Sequence, residues 1–331
     1  MRRRAAFALT LALIALQPLL GSCAAPPRTV TVAAYDFMDT VSTVTLYERD
    51  ADKAERVFGV CRALDDLLDM RDPLSEISRV NNAGGKRVPV SPDTESVLKT
   101  GIEAAGISGG MFDITIGRAS ALWDFAAGTV PDKAALDDAV AGAGIGGLTV
   151  EDGTASIIGG MIDTGALAKG YALDVVRLAL DDEGVASALI NLGGSVLAKG
   201  TRPGGGPWRV GIQKPFGGAD ELLGVVEASD VTVVTAGLYQ RSFESGGVLY
   251  HHILDPRDGM PVKTDVWSAT IIADSGVWAD AYSTICVLLG SREAMSFIED
   301  IDGVECVLAL SDGSTLFSGG IGSRVTFSWA E

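Results

Sequence analysis

Basic residues are scarce in this 331-residue chain. Lys and Arg number 26 against 43 Asp and Glu, a formal charge of −17, and no run of cations appears after residue 4. A nucleic-acid-binding surface is excluded on that ground, because duplex affinity comes from counterions released by many Lys and Arg. Cysteine numbers four, with no Cys-x-x-Cys, and the two histidines are adjacent at His251 and His252. Neither pattern has the ligand spacing of a zinc site. After residue 22 no apolar run is long enough to span a bilayer. The 41 glycines follow no short period, so collagen-like and solenoid architectures are excluded. No Pro/Ser-rich linker divides residues 31–331, and 47% hydrophobic against 21% charged residues excludes disorder. What remains is one large, turn-rich globular domain.

The N-terminus is apolar for a different reason. Met1-Arg2-Arg3-Arg4 is a basic head, Ala5 to Leu20 is an apolar stretch of signal-peptide length, and Leu20-Gly21-Ser22-Cys23 resembles a bacterial lipoprotein box. Residues 1–22 are therefore expected to be a lipoprotein signal peptide and 23–30 a tether, with the domain over 31–331. Cys23 would be diacylated, holding the protein outside the cytoplasm on a bacterial membrane. Two acyl chains make a stable anchor at about 0.8 kcal/mol per buried methylene. Cys61, Cys286 and Cys306 are an odd set that cannot all pair with one another. Cys61 lies on the apolar helical face of Val57, Phe58, Leu64 and Leu68, and Cys306 alternates with Val304 and Leu308. Buried thiols are expected there, with pairing of Cys286 and Cys306 left open.

Periodicity predicts strands over Val30–Tyr35 and Val41–Tyr47, then helices over Asp50–Met70, Pro92–Ala105 and Pro131–Ala141. From residue 148 short strands dominate: Leu148–Val150, Ser156–Ile158, Ser187–Leu192, Val196–Ala198, Trp208–Ile212, Leu223–Val226 and Val231–Val234. Helices are predicted over Ala168–Asp182, Val277–Leu289 and Arg292–Ile298, and strands near Val304–Leu310 and Val325–Trp329. Strands and helices mix without strict alternation, so the fold class is α+β, with mixed β-sheets packed against helices in a single large domain. Gly142, Gly144 and Gly147 spell a dinucleotide fingerprint, but a helix precedes them and a strand follows, the reverse of the required context. They read as a helix stop and a turn.

An ordered series of blocks carries the chemistry. It runs through Phe37-Met38-Asp39-Thr40, Ser75-Glu76-Ile77-Ser78-Arg79-Val80-Asn81, Phe112-Asp113-Ile114-Thr115 and Asp163-Thr164-Gly165-Ala166-Leu167-Ala168-Lys169-Gly170-Tyr171. It continues with Asn191-Leu192-Gly193-Gly194, then Tyr250-His251-His252-Ile253-Leu254-Asp255-Pro256, and ends in Ala279-Asp280-Ala281-Tyr282-Ser283-Thr284. In that order they resemble the FAD:protein FMN transferases, the ApbE-type flavin transferase family, over essentially residues 31–329.

The resemblance implies an ApbE-like domain with a flavin cleft between its halves, and Mg²⁺-dependent transfer of FMN from FAD to a Ser or Thr hydroxyl of an exported client, with AMP released. Asp280 and Thr284, one helical turn apart, would present hard oxygens to the metal, with a third from the Ala166 carbonyl. Lys169, at a helix start, would contact the flavin nucleotide. Asp113 would hydrogen-bond that nucleotide, or serve as a turn carboxylate. Gly193-Gly194 would let backbone approach a ligand, or form a plain tight turn. Consecutive strand residues face opposite ways, so one histidine is structural. By the family pattern His252, with Ile253 beside it, faces the flavin and transfers the proton. Met38, Met70 and Arg71 are placed near the isoalloxazine and ribityl chain by the resemblance alone. Three positions depart from it: Asp39 stands at a usual Gly, Ala236 at a usual Ser and Ser195 at a usual acidic residue. The expected acceptor motif is Asp, two residues, Ser/Thr, Gly/Ala, Ala, Thr/Ser. Asp265–Thr270 lacks one residue of it and reads as a core strand, so the client is expected to be another protein. Two rival readings use the same cleft: a Mg²⁺-dependent FAD pyrophosphatase yielding FMN and AMP, and a non-catalytic flavin-binding lipoprotein.

Overall fold

Four central strands are buried along nearly their whole length: Ser195–Lys199, Val231–Gly237, Val266–Ala273 and Glu305–Leu310. Because successive side chains point to opposite faces, such strands must be covered on both sides. Leu197, Val234, Ile271 and Leu308 enter the main hydrophobic core, while their neighbours Val196, Val233, Ile272 and Val307 enter a second one. In this computed structural model, which describes residues 28–218 and 220–330, these strands form the middle of an eight-stranded sheet. Its order is Thr29–Ala34, Ser42–Tyr47, Ala188–Leu192, Ser195–Lys199, Val231–Gly237, Val266–Ala273, Glu305–Leu310 and Thr315–Phe317, with every neighbouring pair antiparallel. The predicted signal peptide, Cys23 and the first part of the tether lie outside the described residues.

Helices cover one face of the sheet. Ala54–Leu68, Ala168–Asp182, Gly276–Leu289 and Ser291–Glu299 contribute buried residues to the main core. The opposite face packs on a three-stranded sheet of Trp208–Gln213, Leu222–Ala228 and Thr326–Trp329 through Trp208, Val210, Ile212 and Val226. The α+β class read from the sequence is the class observed. No helix among the described residues is long and apolar enough to cross a membrane.

Several boundaries shift for local reasons. The helix expected over Asp50–Met70 begins as a 3-10 turn, Glu48–Lys53, and becomes α-helical over Ala54–Leu68, burying the expected face of Val57, Phe58, Cys61, Leu64 and Leu68. Pro92 opens its helix behind Ser91, whose hydroxyl accepts from Thr94 N, as a capping serine does. The third helix starts at Lys133 because Asp132 caps Ala134 N and Ala135 N. Gly142 closes that helix, and a Cβ there would lie 2.6 Å from the Gly159 carbonyl oxygen, so the glycine triplet serves packing and turning. The short helix Glu76–Asn81 and the strand Ser242–Ser245 escaped sequence reading, being too short and too polar to show a period. The strand Val248–His251 stops one residue early, so His252 is not a strand residue as expected but sits in the following bend. Cys61, Cys286 and Cys306 are free and buried.

The ribbon that ends at the histidines is held by an aromatic stack. Trp123 lies on Phe125 with centroids 5.4 Å apart, Phe243 lies on Tyr250 at 5.3 Å, and Trp123 Nε1 donates to the Gly259 carbonyl at 2.9 Å. Trp123→Ala removes the stack and leaves that carbonyl without its donor. It should cost about 3–5 kcal/mol in urea unfolding; a loss below about 1 kcal/mol would show that the ribbon is anchored elsewhere.

Candidate active site

Two helix starts make the site. The helix Ala168–Asp182, here the lysine helix, crosses the helix Gly276–Leu289, the aspartate helix, at Gly170 and Gly276. A Cβ on Gly170 would strike the Gly276 carbonyl and come within 2.7 Å of Asp280 Cβ, while one on Gly276 would strike the Gly170 carbonyl. Backbone therefore meets backbone, as only a pair of glycines permits. The contact lets Gly170 N donate to Asp280 Oδ2 at 2.9 Å. That N–H would ordinarily turn back toward the carbonyl four residues earlier, Ala166. Its diversion leaves the Ala166 carbonyl with no backbone donor among the described residues.

The other oxygens named from the sequence are equally unclaimed. Asp280 is 6% exposed, and among the described residues its Oδ1 has no protein donor. Thr284 could bond back to the Asp280 carbonyl, but Ser283 Oγ occupies it at 2.8 Å, and the Thr284 hydroxyl bonds no described residue. A largely buried carboxylate with one donor costs desolvation energy unless something else satisfies it. The three oxygens are hard donors, and they fit a hard divalent cation. Among the described residues no group of three or more His, Cys, Asp or Glu could hold a metal, so a cation here depends on the carbonyl and the hydroxyl. Burial raises the Asp280 carboxyl pKa, while the Lys169 charge and the Gly170 N–H pull it back.

His252 faces the same charge. Burial pushes its pKa from 6.5 down to about 3, and the charges of Arg241 and Lys169 push the same way. Its Nδ1 is buried with no hydrogen-bond partner. The imidazole is thus neutral near pH 7 with an unused ring nitrogen. His251 Nε2 lies 3.2 Å from the Val262 carbonyl, and its Nδ1 is likewise buried without a partner. Lys169, Asp280, Thr284 and the Ala166 carbonyl are therefore grouped around the helix crossing, with His252 near enough to Lys169 to feel its charge.

The remaining candidates sit further out or are engaged. Met38 and Asp39 both take left-handed backbone, φ 52° and 48°, which accounts for a glycine preference at position 39. Asp39 Oδ2 lies 2.5 Å from Arg71, whose guanidinium also bonds Asp69 at 3.0 Å. Arg71 is thus held by two carboxylates and ties the Met38 loop to the Met70 loop. Asp113 Oδ1 accepts from Thr115 N and Oγ1, both at 2.7 Å, which is turn chemistry and leaves Oδ2 for a ligand. Ile253 is buried in the main core. Gly193-Gly194 form the tight turn between two paired strands, and a Cβ on Gly193 would collide with Thr40 Oγ1. Ser195 and Ala236 are both buried in strands of the large sheet.

The upstream block builds the scaffold. Glu76 accepts from Ser91 N and Oγ at 2.7 and 2.8 Å, and Asn81 exchanges hydrogen bonds of 3.0 and 2.7 Å with the Ile162 backbone. Thr164 Oγ1 donates to the Leu68 carbonyl at 3.0 Å. Together these bonds fix the loop that ends in Ala166. Sequence reasoning missed Arg241 and Gly276. Nothing near Arg241 marks it, whereas the Ser275-Gly276 helix start was a usable sign of a close crossing.

The chain matches the model of the ApbE family over residues 38–308. It is 34% identical over 269 residues to an FAD:protein FMN transferase of Klebsiella pneumoniae (strain 342), covering 78% of this chain and 83% of that protein. It is 33% identical over 294 residues to one of Treponema pallidum (strain Nichols), covering 82% and 80%. Among solved structures, the ApbE protein of Thermotoga maritima superposes with a TM-score of 0.80 at 28% identity, over 88% of this chain and 97% of that one. The flavin transferase ApbE of Vibrio cholerae gives 0.78 at 26%, over 89% and 98%.

Two expectations follow. Gly170→Ala forces the helices apart and should destabilise the fold by about 1–3 kcal/mol, read as a lower melting temperature. Unchanged melting would contradict the close crossing. Burial holds His251 at about 4, below its ordinary 6.5, so the unfolded chain takes the proton first. Stability from this residue is complete above pH 6.5 and declines as the pH falls toward 4. In urea titrations at pH 7.5 and 5, His251→Phe should lose less stability between the two than wild type does.

Proposed function

The chain belongs to the ApbE family, and we propose that it is an FAD:protein FMN transferase that moves FMN from FAD to a Ser or Thr hydroxyl of an exported client protein and releases AMP. The observation that carries this reading is the set of three oxygens at the helix crossing without partners among the described residues, Asp280 Oδ1, Thr284 Oγ1 and the Ala166 carbonyl, within reach of the Lys169 charge. Mg²⁺ held by them would neutralise charge on the diphosphate.

The chain's own groups do the rest. Lys169 and Arg241 set two cations around His252, charges that suit an anionic diphosphate, in a protein that is otherwise strongly acidic. Bound anion offsets the same cations that suppress protonation of His252, so its basicity rises when substrate is present. The His252 imidazole then accepts the proton of the incoming hydroxyl as its oxygen bonds to the FMN phosphorus and the bond to the AMP oxygen breaks. The enzyme's work is positioning and charge placement.

An acceptor in another chain is supported by the fate of the nearest internal match. In Asp265–Thr270 the hydroxyl residues Ser268 and Thr270 are 1% and 0% exposed within a central strand, and Thr270 Oγ1 bonds Thr235 Oγ1 at 2.8 Å. We place the mature protein outside the cytoplasm, anchored through Cys23.

The test is mass spectrometry of a peptide carrying the acceptor motif, incubated with the mature protein, FAD and Mg²⁺. An added FMN is expected with wild type, and Asp280→Ala or His252→Ala should slow the transfer at least about 100-fold. Release of FMN and AMP with no labelled peptide would establish a pyrophosphatase instead. Binding of FAD without turnover, unaffected by Asp280→Ala, would establish a storage protein.

A further inference from the structure

The aspartate helix does not cap itself. Ser275, at its N-terminal boundary, is a residue type that caps helices, yet its side chain bonds none of the first N–H groups. Asp174 of the lysine helix takes over that task. Its Oδ1 accepts from Gly276 N at 2.6 Å, and its Oδ2 accepts from Val277 N at 2.9 Å and from the Ser275 hydroxyl at 3.1 Å. Serine is thus turned into a donor toward the neighbouring helix. Asp174 lies one turn beyond Gly170, and the three groups it grips lie about one turn before Asp280.

We propose that Asp174 is a positioning residue for the divalent-cation site, setting the spacing between the oxygens of the aspartate helix and the carbonyl of Ala166. The inference rests on the metal-dependent reading given above. The donors come from two separate segments: Ala166 leads into the lysine helix, whereas Asp280 and Thr284 ride on the aspartate helix. Any slide of one helix along the other changes their separation, and Mg²⁺ demands near-octahedral oxygens at about 2.0–2.1 Å. The Gly170–Gly276 contact is smooth backbone against backbone and resists approach, not sliding. The Gly170–Asp280 hydrogen bond uses an oxygen of the ligand itself. Asp174 supplies three bonds between the helices that engage no donor oxygen, and its negative charge is favourably placed at a helix N-terminus. A local cap would stabilise the helix equally well but could not register it against its neighbour.

The experiment separates capping from registration. Wild type, Asp174→Ala and the double variant Asp174→Ala/Ser275→Asp are titrated with Mn²⁺ in the presence of FAD, counting free ion by its paramagnetic resonance signal, and melted in EDTA. Asp174→Ala should melt lower and bind Mn²⁺ about tenfold more weakly, the scale of outer-shell losses. Ser275→Asp supplies a local cap, so the double variant should regain its melting temperature while its Mn²⁺ affinity stays weak. Recovery of both in the double variant, or wild-type Mn²⁺ affinity in Asp174→Ala, overturns the proposal. Should Asp174→Ala not fold, Asp174→Asn is measured the same way; it keeps one acceptor oxygen and must show a smaller weakening, wild-type affinity again overturning the idea. If wild type with FAD binds no Mn²⁺, the transferase reading fails, and this inference with it; that outcome differs from any variant effect.

Discussion

The contact between Gly170 and Gly276 is the constraint on which the candidate site depends. Two helices can share a surface through side chains at 8–10 Å between axes, but an N–H of one reaches a carboxylate of the other only when no side chain intervenes. Here the consequence is an exchange of partners. Gly170 N–H goes to Asp280, the Ala166 carbonyl is released, and a backbone oxygen becomes available beside a largely buried carboxylate. One absent methyl group on each helix thus frees the Ala166 carbonyl beside Asp280.

Around that point the electrostatics run against the rest of the molecule. A chain with 43 acidic and 26 basic residues repels anions over most of its surface, yet Lys169 and Arg241 both act on His252, and Lys169 also acts on Asp280. Asp280 is largely buried, so the Lys169 charge acts on it through less water than it would between surface groups. Burial, with these charges adding to it, keeps the histidine neutral, and Lys169 partly offsets the desolvation of the aspartate. An anionic ligand would offset the part of the shift at the histidine that the two cations cause.

The doubly covered sheet supplies the rigidity such a site needs. The strands Val231–Gly237 and Val266–Ala273 lie against the aspartate helix on one face and the small three-stranded sheet on the other. With both faces packed, neither strand can slip register without exposing a full row of apolar side chains. The histidine ribbon is held separately, by the Trp123 stack. Two rigid bases therefore carry the helix crossing and the histidine ribbon.

Much of this was legible in the chain alone. The apolar faces of the Ala54–Leu68 and Ala168–Asp182 helices, the fully buried strands and the oxygen pair at 280 and 284 follow from local periodicity, which covalent geometry enforces wherever such sequences fold. The two histidines were expected to diverge by strand alternation, but a bend separates them, because the strand ends at His251. Short polar elements such as Glu76–Asn81 and Ser242–Ser245 left no periodic trace, because contacts distant in sequence stabilise them. What the tertiary structure alone decided is which groups lose their partners. That Ala166 releases its carbonyl, that Arg241 reaches His252 and that Asp174 caps a helix a hundred residues away all depend on two helix starts being brought together. Sequence spacing cannot encode an approach between residues 170 and 276, since it is set by how both helices pack on a common sheet.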